Sequence, residues 1–259
     1  MYFKFFLKII MKFQFLTILI CFSFIIGCNY SSKKETDTIS INQKKSNFPK
    51  PIIKNISKKK LKEFNLVDIQ EINKSIKVEL KYATTDNFMK IKLYEKLKKA
   101  YLQKDVAERL SKCQDYLTSI DPKLYLLIYD AVRPLSTQQK MWDALDSIPF
   151  QERTKFVSNP ENGSVHNYGA AVDLTICNSK GEALDMGAGY DDIRKIAYPS
   201  LEDQFLASGE LTIEQIQNRK LLRKVMKSQG FINIPSEWWH FNACTRSIAK
   251  TKYNQLLEE

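Results

Sequence analysis

The stretch Ser164-Val165-His166-Asn167-Tyr168-Gly169-Ala170-Ala171-Val172-Asp173 joins a polar turn to a run of small and apolar residues. The turn carries one of the two histidines in this chain of 259 residues. The run from Ala170 to Cys177 alternates small or apolar with polar residues, which predicts a strand that contains Asp173 and is entered through His166. Imidazole nitrogen and carboxylate oxygen are suitable ligands for Zn²⁺. A hydrogen-bonded His–Asp pair without metal is the alternative interpretation.

The second histidine, His240, ends the run Glu237-Trp238-Trp239-His240. Two histidines and one carboxylate, with a fourth position open to water, form the usual ligand set of a catalytic zinc site. His166, Asp173 and His240 supply that set, and Glu237 is the candidate general base. Because successive strand residues face opposite ways, we expect Glu237 on the loop before the strand, leaning over the metal-bound water. A surface salt bridge is the alternative for Glu237.

Arg133 stands between an apolar, aromatic-rich run and Pro134. A guanidinium at the mouth of a cleft can hydrogen-bond a developing oxyanion during hydrolysis. A structural ion pair with Asp130 or Asp143 explains an arginine at this position equally well, so the sequence alone leaves both interpretations open.

Apolar residues at helical spacing predict one long helix or two between Leu93 and Ile120. A second strong helix is predicted over Thr212–Gln229, with Thr212 as its N-cap and Gly230 as its terminator. The sequence Ser136-Thr137-Gln138-Gln139 fits a capping box, which predicts a helix that continues to about Leu145.

Strands are predicted at Leu124–Val132, Ala170–Cys177 and Glu237–Asn242. Helices and strands are mixed without regular βαβ alternation, which favours an α+β fold over a doubly wound sheet. We therefore expect a single domain with a central, mostly antiparallel sheet flanked by helices, covering residues 65–259.

The N-terminal segment has the features of a bacterial lipoprotein signal. Lysines at positions 4, 8 and 12 precede an apolar run over 13–26 that is too short for a membrane span of about 20 residues. The segment 1–27 is thus predicted to be a signal peptide, and Cys28 the lipidated cysteine. A Ser-, Lys- and Asn-rich stretch over 28–64 is predicted to be a flexible tether. These features predict a membrane-anchored lipoprotein of the cell envelope that faces the periplasm or the cell surface; an ordinary signal peptide or an uncleaved anchor is the alternative.

The formal net charge is +11, and the positive charge is spread over scattered lysines. The sequence has no zinc finger, Arg-rich helix or aromatic platform, so no nucleic acid is predicted as a partner, and no protein partner is predicted. Cys113, Cys177 and Cys244 are odd in number and have no CxxC spacing, which favours buried free thiols over a disulfide framework.

Five motifs, taken together and in order, resemble the D-alanyl-D-alanine dipeptidases of the VanX type. They are Lys81-Tyr82-Ala83-Thr84-Thr85-Asp86-Asn87-Phe88, Asp130-Ala131-Val132-Arg133-Pro134, the SxHxxGxAxD stretch quoted first, Met186-Gly187-Ala188-Gly189-Tyr190-Asp191, and Glu237-Trp238-Trp239-His240. The motifs span most of the predicted domain, from about Leu66 to Phe241. That family belongs to the zinc D-Ala-D-Ala metallopeptidases, which share an α+β core with the hedgehog signalling domain.

The resemblance implies a role for each matching residue. His166, Asp173 and His240 match the ligands of one zinc ion per chain, Glu237 the catalytic base, and Arg133 the residue that stabilises the tetrahedral intermediate. Positions around the dipeptide are matched by Tyr82, Ser164 and Asp191, and Asp191 is the candidate partner of the substrate ammonium. The implied reaction is hydrolysis of the small dipeptide D-Ala-D-Ala to two D-alanines.

Two other classes of function remain open from the sequence. A related zinc carboxypeptidase or endopeptidase would trim peptidoglycan stem peptides, to which an envelope tether gives access. A binding or sensing module would hold zinc without turnover, as hedgehog-like relatives can. The presence of both Glu237 and Arg133 favours an enzyme.

Overall fold

The structure is a computed structural model that describes residues 56–259. The predicted signal peptide, Cys28 and the tether as far as residue 55 lie outside the described residues. Among the helices of residues 56–259, none combines the length and the apolar character that a membrane crossing requires.

Helices and strands alternate irregularly along the described part of the chain. In order they are α1 (Lys58–Glu63), β1 (Leu66–Asp68), α2 (Ile69–Ile72), β2 (Lys77–Val78), β3 (Tyr101–Gln103), α3 (Lys104–Ile120), β4 (Tyr125–Asp130), α4 (Leu135–Asp143), β5 (Ala171–Cys177), α5 (Glu202–Ser208), α6 (Ile213–Lys227), β6 (Ile232–Asn233), β7 (His240–Asn242) and α7 (Arg246–Lys252). Short 3₁₀ turns lie between them, and the turn over Val165–Tyr168 is the one that bears on the site.

The main sheet has five strands in the order β2-β4-β5-β7-β6. Strands β2 and β4 are parallel, and the other neighbouring pairs are antiparallel. Helices α3 and α6 contact each other and pack against β4 and β5. All seven residues of β5 are buried, so the centre of the sheet is covered on both faces. The predicted α+β fold with a mostly antiparallel sheet is confirmed.

An irregularity in the pairing of β4 with β5 lies next to the candidate site. Ile128 pairs with Leu174, but Asp130 pairs with Asp173, so Tyr129 is the extra residue of a bulge. Bulges bend a strand and redirect its side chains. Here the bulge sets two buried carboxylates opposite each other at the end of β4.

The region predicted as a helix from Leu93 to Ile120 divides at residue 104. Helix α3 begins at Lys104, whereas residues 93–100 are irregular and Tyr101–Gln103 form a strand. The backbone N–H groups of Leu93 and Tyr94 both donate to the carbonyl of Tyr82 rather than to a helical acceptor. The apolar residues at helical spacing are buried because Leu93 and Leu97 pack in one hydrophobic cluster and the apolar face of α3 in another. They do not form one continuous helix, so the prediction of a helix before residue 104 was wrong.

The capping box predicted at Ser136 is also absent from the described structure. Helix α4 begins at Leu135 after Pro134 and ends at Asp143. The N–H groups of Leu135 and Ser136 donate to the carbonyls of Leu256 and Leu257, so the C-terminal segment satisfies donors that a capping hydroxyl would otherwise serve. The other helix prediction is confirmed: Thr212 caps α6 in a capping box with Gln215.

Two boundaries shift relative to the prediction. The last strand covers His240–Asn242 only, which leaves Glu237 on the preceding loop as expected. Helix α1 occupies residues within the predicted tether, with Ser57 as its N-cap. The thiols of Cys113, Cys177 and Cys244 are free, and the first two are buried.

Candidate active site

A tight capped turn positions His166. The hydroxyl oxygen of Ser164 accepts a hydrogen bond from the His166 backbone N–H, and the Asn167 side chain accepts one from the Ser164 N–H. Gly169 ends the turn at φ 63°, and a Cβ there would lie 2.7 Å from a Leu66 methyl carbon. Only glycine combines this left-handed backbone with so close an approach.

The other two candidate ligands stand on neighbouring strands. Asp173 in β5 is paired directly with His240 in β7. Directly opposed residues of an antiparallel pair have Cβ atoms about 4.5–5.5 Å apart. Strand pairing alone therefore brings this carboxylate and this imidazole together, and the turn at His166 adds the third side chain.

Three acceptor atoms of these side chains converge. His166 Nε2 lies 3.1 Å from His240 Nδ1 and 3.3 Å from Asp173 Oδ1, and His240 Nδ1 lies 2.9 Å from Asp173 Oδ1. His166 and Asp173 are 1% and 2% exposed, so the cluster is shielded from bulk solvent.

The far nitrogen of each imidazole has its own acceptor, and this fixes the tautomers. His166 Nδ1–H donates to the carbonyl of Ala131 at 2.6 Å, and His240 Nε2–H donates to Asn242 Oδ1 at 3.0 Å. Each neutral ring then presents a lone pair to the other and to Asp173. Such an arrangement calls for a positive charge between the three atoms.

The ionisation of the cluster agrees with that requirement. Burial lowers the pKa of His240, but the hydrogen bond and charge of Asp173, together with the charge of Glu237 and the contact with Asn242, outweigh burial, and the pKa is raised. Burial raises the pKa of Asp173, but the charges and hydrogen bonds of the two histidines outweigh it and hold that pKa well below its usual value. A cation between the three atoms would therefore occupy a position where these interactions favour positive charge.

Glu237 lies beside the cluster. One of its carboxylate oxygens is 3.9 Å from His240 Nδ1, and 34% of the side chain is exposed to the cleft. Burial raises the pKa of Glu237, partly offset by His240. A carboxylate with a raised pKa is a stronger base than an ordinary glutamate, which suits proton abstraction near neutral pH.

Arg133 joins both buried aspartates. Its Nε–H and an Nη2–H donate to Asp130 Oδ2 at 2.9 and 2.7 Å, and Nη2 also lies 3.4 Å from Asp173 Oδ2. Nη1 donates to Gln138 Oε1 at 3.3 Å. A guanidinium has five N–H donors, so one N–H on Nη1 has no protein acceptor among residues 56–259. The structural ion pair and the free donor thus coexist in one side chain, which lines the cleft.

The eight side chains that the sequence singled out in the domain line one cleft of about 180 Å³. These are Tyr82, Arg133, Ser164, His166, Asp173, Asp191, Glu237 and His240. The Tyr82 hydroxyl donates to Asp191 Oδ1 at 3.1 Å, whereas Asp191 Oδ2 is buried without a partner in the described structure. Burial and the nearby Asp173 raise the pKa of Asp191 well above its usual value, although Arg133 opposes this.

Several hydrogen bonds within the candidate site were not found from the sequence. Tyr190 donates to Asp173 Oδ2 at 3.2 Å, Asn242 orients His240, and Tyr94 donates to Asp130 Oδ1 at 2.5 Å. Asn242 stands two residues after His240, so the two-residue strand period places it on the same face. Tyr94 lies in the segment wrongly assigned to a helix, and its role had no signal in the sequence.

A buried His–His–Asp cluster with a free carboxylate beside it defines a metal-dependent hydrolase. Residues 62–257 match the family model Peptidase_M15, described as D-ala-D-ala dipeptidase. The chain belongs to this family of metallopeptidases.

Individual relatives carry the same description. The chain is 36% identical to a D-alanyl-D-alanine dipeptidase of Escherichia coli over 179 residues, which cover 68% of this chain and 83% of that protein. It is 30% identical to a D-alanyl-D-alanine dipeptidase of Synechocystis over 181 residues, 60% of this chain and 73% of that protein. Among solved structures, the LdcB LD-carboxypeptidase aligns with a TM-score of 0.39 and 18% identity over 72% of this chain and 71% of that chain.

Proposed function

We propose that this protein is a zinc-dependent dipeptidase that hydrolyses D-Ala-D-Ala to two D-alanines. The observation that carries the proposal is the convergence of three lone-pair donors, His166 Nε2, Asp173 Oδ1 and His240 Nδ1, with the carboxylate of Glu237 beside them. Family membership supplies the reaction class, since the curated relatives are D-alanyl-D-alanine dipeptidases.

The donor set fits one zinc ion per chain. Zinc takes histidine nitrogen and carboxylate oxygen at about 2.0–2.2 Å in tetrahedral geometry, which sets neighbouring ligand atoms about 3.3 Å apart. The three observed separations, between 2.9 and 3.3 Å, are close to that value. With His166, Asp173 and His240 as ligands, a fourth position would remain for water, as in catalytic zinc sites.

When bound, zinc would lower the pKa of a water ligand toward about 7 and polarise the peptide carbonyl. Glu237 accepts the proton of the attacking water and later passes it to the leaving amine as the C–N bond breaks. The free N–H on Arg133 Nη1 donates to the oxygen on which negative charge develops. Asp130 and Asp173 hold the guanidinium in place for this contact.

The size and charge of the cleft favour a small substrate with a free amino terminus. Its volume of about 180 Å³ is below the roughly 300–1,000 Å³ of pockets for drug-sized ligands. The unpartnered Oδ2 of Asp191 offers a hydrogen-bond acceptor and a charge to a substrate ammonium. Such an ammonium would offset the burial that raises the pKa of Asp191 and keep the carboxylate ionised. A zwitterionic dipeptide meets these conditions.

Asp191→Asn tests this assignment. Hydrogen bonds to charged groups contribute about 1.5–3 kcal/mol, so kcat/KM for D-Ala-D-Ala should fall by about 10- to 100-fold, mainly through KM. Asp192→Asn is the matched control, because this neighbouring acid also lines the cleft but pairs with the exposed Arg194. Steady-state kinetics on D-Ala-D-Ala, with a pentapeptide stem ending in D-Ala-D-Ala in parallel, give the measurement.

The outcomes separate the candidate functions. Cleavage of the dipeptide alone, lost selectively in Asp191→Asn, supports the dipeptidase. Cleavage of the pentapeptide in preference to the dipeptide would assign the protein to wall-trimming carboxypeptidases or endopeptidases instead. Stoichiometric zinc without cleavage of either substrate would indicate the binding module.

We also propose that the enzyme is a lipoprotein of the cell envelope, with its membrane contact through lipid on Cys28. The apolar run over 13–26 and the sequence Ile25-Ile26-Gly27-Cys28 support this. Metabolic labelling with a tagged fatty acid should label the full-length protein but not Cys28→Ser. Equal labelling of both would exclude Cys28 as the site.

A further inference from the structure

The loop from Ile234 to Trp239 carries Glu237 between β6 and β7. The side chain of Glu237 makes no hydrogen bond to another residue of the described chain, and its nearest charged partner is His240 at 3.9 Å. A general base has to lie within hydrogen-bond reach of the proton that it accepts. The backbone of this loop must therefore set the position of the carboxylate.

The side chain of Asn233 hydrogen-bonds the backbone of this loop beside Glu237. The amide Nδ2 of Asn233 donates to the backbone carbonyl of Glu237 at 2.8 Å and to that of His240 at 2.8 Å. A carboxamide has two N–H donors on one nitrogen, so both are used. The opposite orientation of the amide would place its oxygen against two carbonyl oxygens, so these partners fix the orientation.

Other contacts hold the flanks of the loop but not its centre. The backbone N–H and the hydroxyl of Ser200 donate to the carbonyl of Pro235, and the N–H of Leu174 donates to the carbonyl of Trp239. Among residues 56–259, the hydrogen bond to the carbonyl of Glu237 comes from Asn233. This amide also links the base to His240, one of the three candidate ligands.

We propose that Asn233 is a positioning residue for the general base: its amide fixes the carbonyl of Glu237 relative to that of His240 and so holds the Glu237 carboxylate beside the metal position. Asn233 is not among the residues that line the cleft. The expected loss of activity on substitution of Asn233 rests on the proposed function, whereas the expected change in the loop does not.

Asn233→Ala should lower kcat for D-Ala-D-Ala by about 10- to 100-fold, since misplacement of a reacting group by about 1 Å can cost 10²-fold in rate. KM should change by less than about twofold, because Asp191 and the other cleft residues are unaffected. Zinc should remain stoichiometric, because strand pairing with Asp173 still holds His240. Asn233→Ser keeps one hydrogen-bond donor at this position. It should fold at least as well as Asn233→Ala and lose less kcat than that variant.

A matched control separates positioning from general destabilisation. Gln114 is a fully buried amide that bonds the backbone of Leu124 and Leu126 at the far end of β4. Gln114→Ala should lower the melting temperature but leave kcat per folded molecule unchanged. Hydrogen–deuterium exchange of the zinc-loaded proteins adds a readout independent of activity: exchange in residues 234–239 should rise in Asn233→Ala and not in Gln114→Ala.

Selective loss of kcat together with faster exchange in residues 234–239 would support the proposal. Unchanged exchange in the loop, or a kcat loss no larger than that of Gln114→Ala, would overturn it. If the wild type does not cleave D-Ala-D-Ala, the proposed function fails while loop exchange alone still decides whether Asn233 holds the loop.

Discussion

Replacing Glu237 with glutamine should reduce kcat for D-Ala-D-Ala by about 10²–10⁴-fold, the range for loss of a general acid–base group. The carboxamide has nearly the same shape but cannot accept the proton of the attacking water or return it to the leaving amine. Burial raises the pKa of Glu237, so the wild-type carboxylate is a stronger base than an exposed one. Rapid-mixing or steady-state kinetics on the zinc-loaded protein measure the effect.

Zinc content should be unchanged in Glu237→Gln, because Glu237 is outside the ligand set, and stability should not fall, because the neutral amide removes a charge that burial disfavours. Glu182→Gln is a suitable control, since Glu182 is an exposed glutamate bonded to Asn178 away from the cleft. Activity in Glu237→Gln close to that of the control would remove Glu237 from the chemistry.

His240→Ala should lose both the metal and the activity. The substitution removes one of three ligands and leaves Asp173 Oδ1 without its nearest hydrogen-bond partner. Metal analysis after dialysis should give one zinc per wild-type chain and substoichiometric zinc for the variant. A ligand that binds only the folded state raises the free energy of unfolding by about 4 kcal/mol when its concentration is a thousand times its Kd. Added zinc should therefore raise the melting temperature of the wild type but not that of His240→Ala.

Asn242→Ala provides a graded comparison for the same measurement. Asn242 accepts the Nε2–H of His240 and is not itself a ligand, and loss of such outer contacts lowers metal affinity by about 10- to 100-fold. We expect intermediate zinc affinity in this variant. A His240→Ala protein that retained one tightly bound zinc per chain would contradict the ligand assignment.

Local sequence patterns predicted the helices and strands correctly where interactions between neighbouring residues decide the structure. The capping box at Thr212 and the terminating Gly230 define α6, and alternation defines β5, because both signals depend on neighbours within a few residues. The same reasoning failed at Leu93 and Ser136. There, the backbone donors are satisfied by Tyr82 and by the C-terminal segment, which are distant in sequence.

The sequence by itself determined the chemistry of the site: its two histidines, the spacing of Asp173 after the Ser164 turn, and a glutamate that strand periodicity separates from His240. Those are properties of residue type and of local geometry, which a linear pattern contains. Tertiary structure alone decided the separations near 3 Å between the His166, Asp173 and His240 ligand atoms and the tautomers of both imidazoles. It also decided that Arg133 combines an ion pair to Asp130 with an N–H donor that faces no acceptor in the described chain. It also decided that Asn233 holds Glu237 and His240. Hydrogen-bond partners and burial depend on which strands pair and in which register, and these follow from the packing of the whole domain.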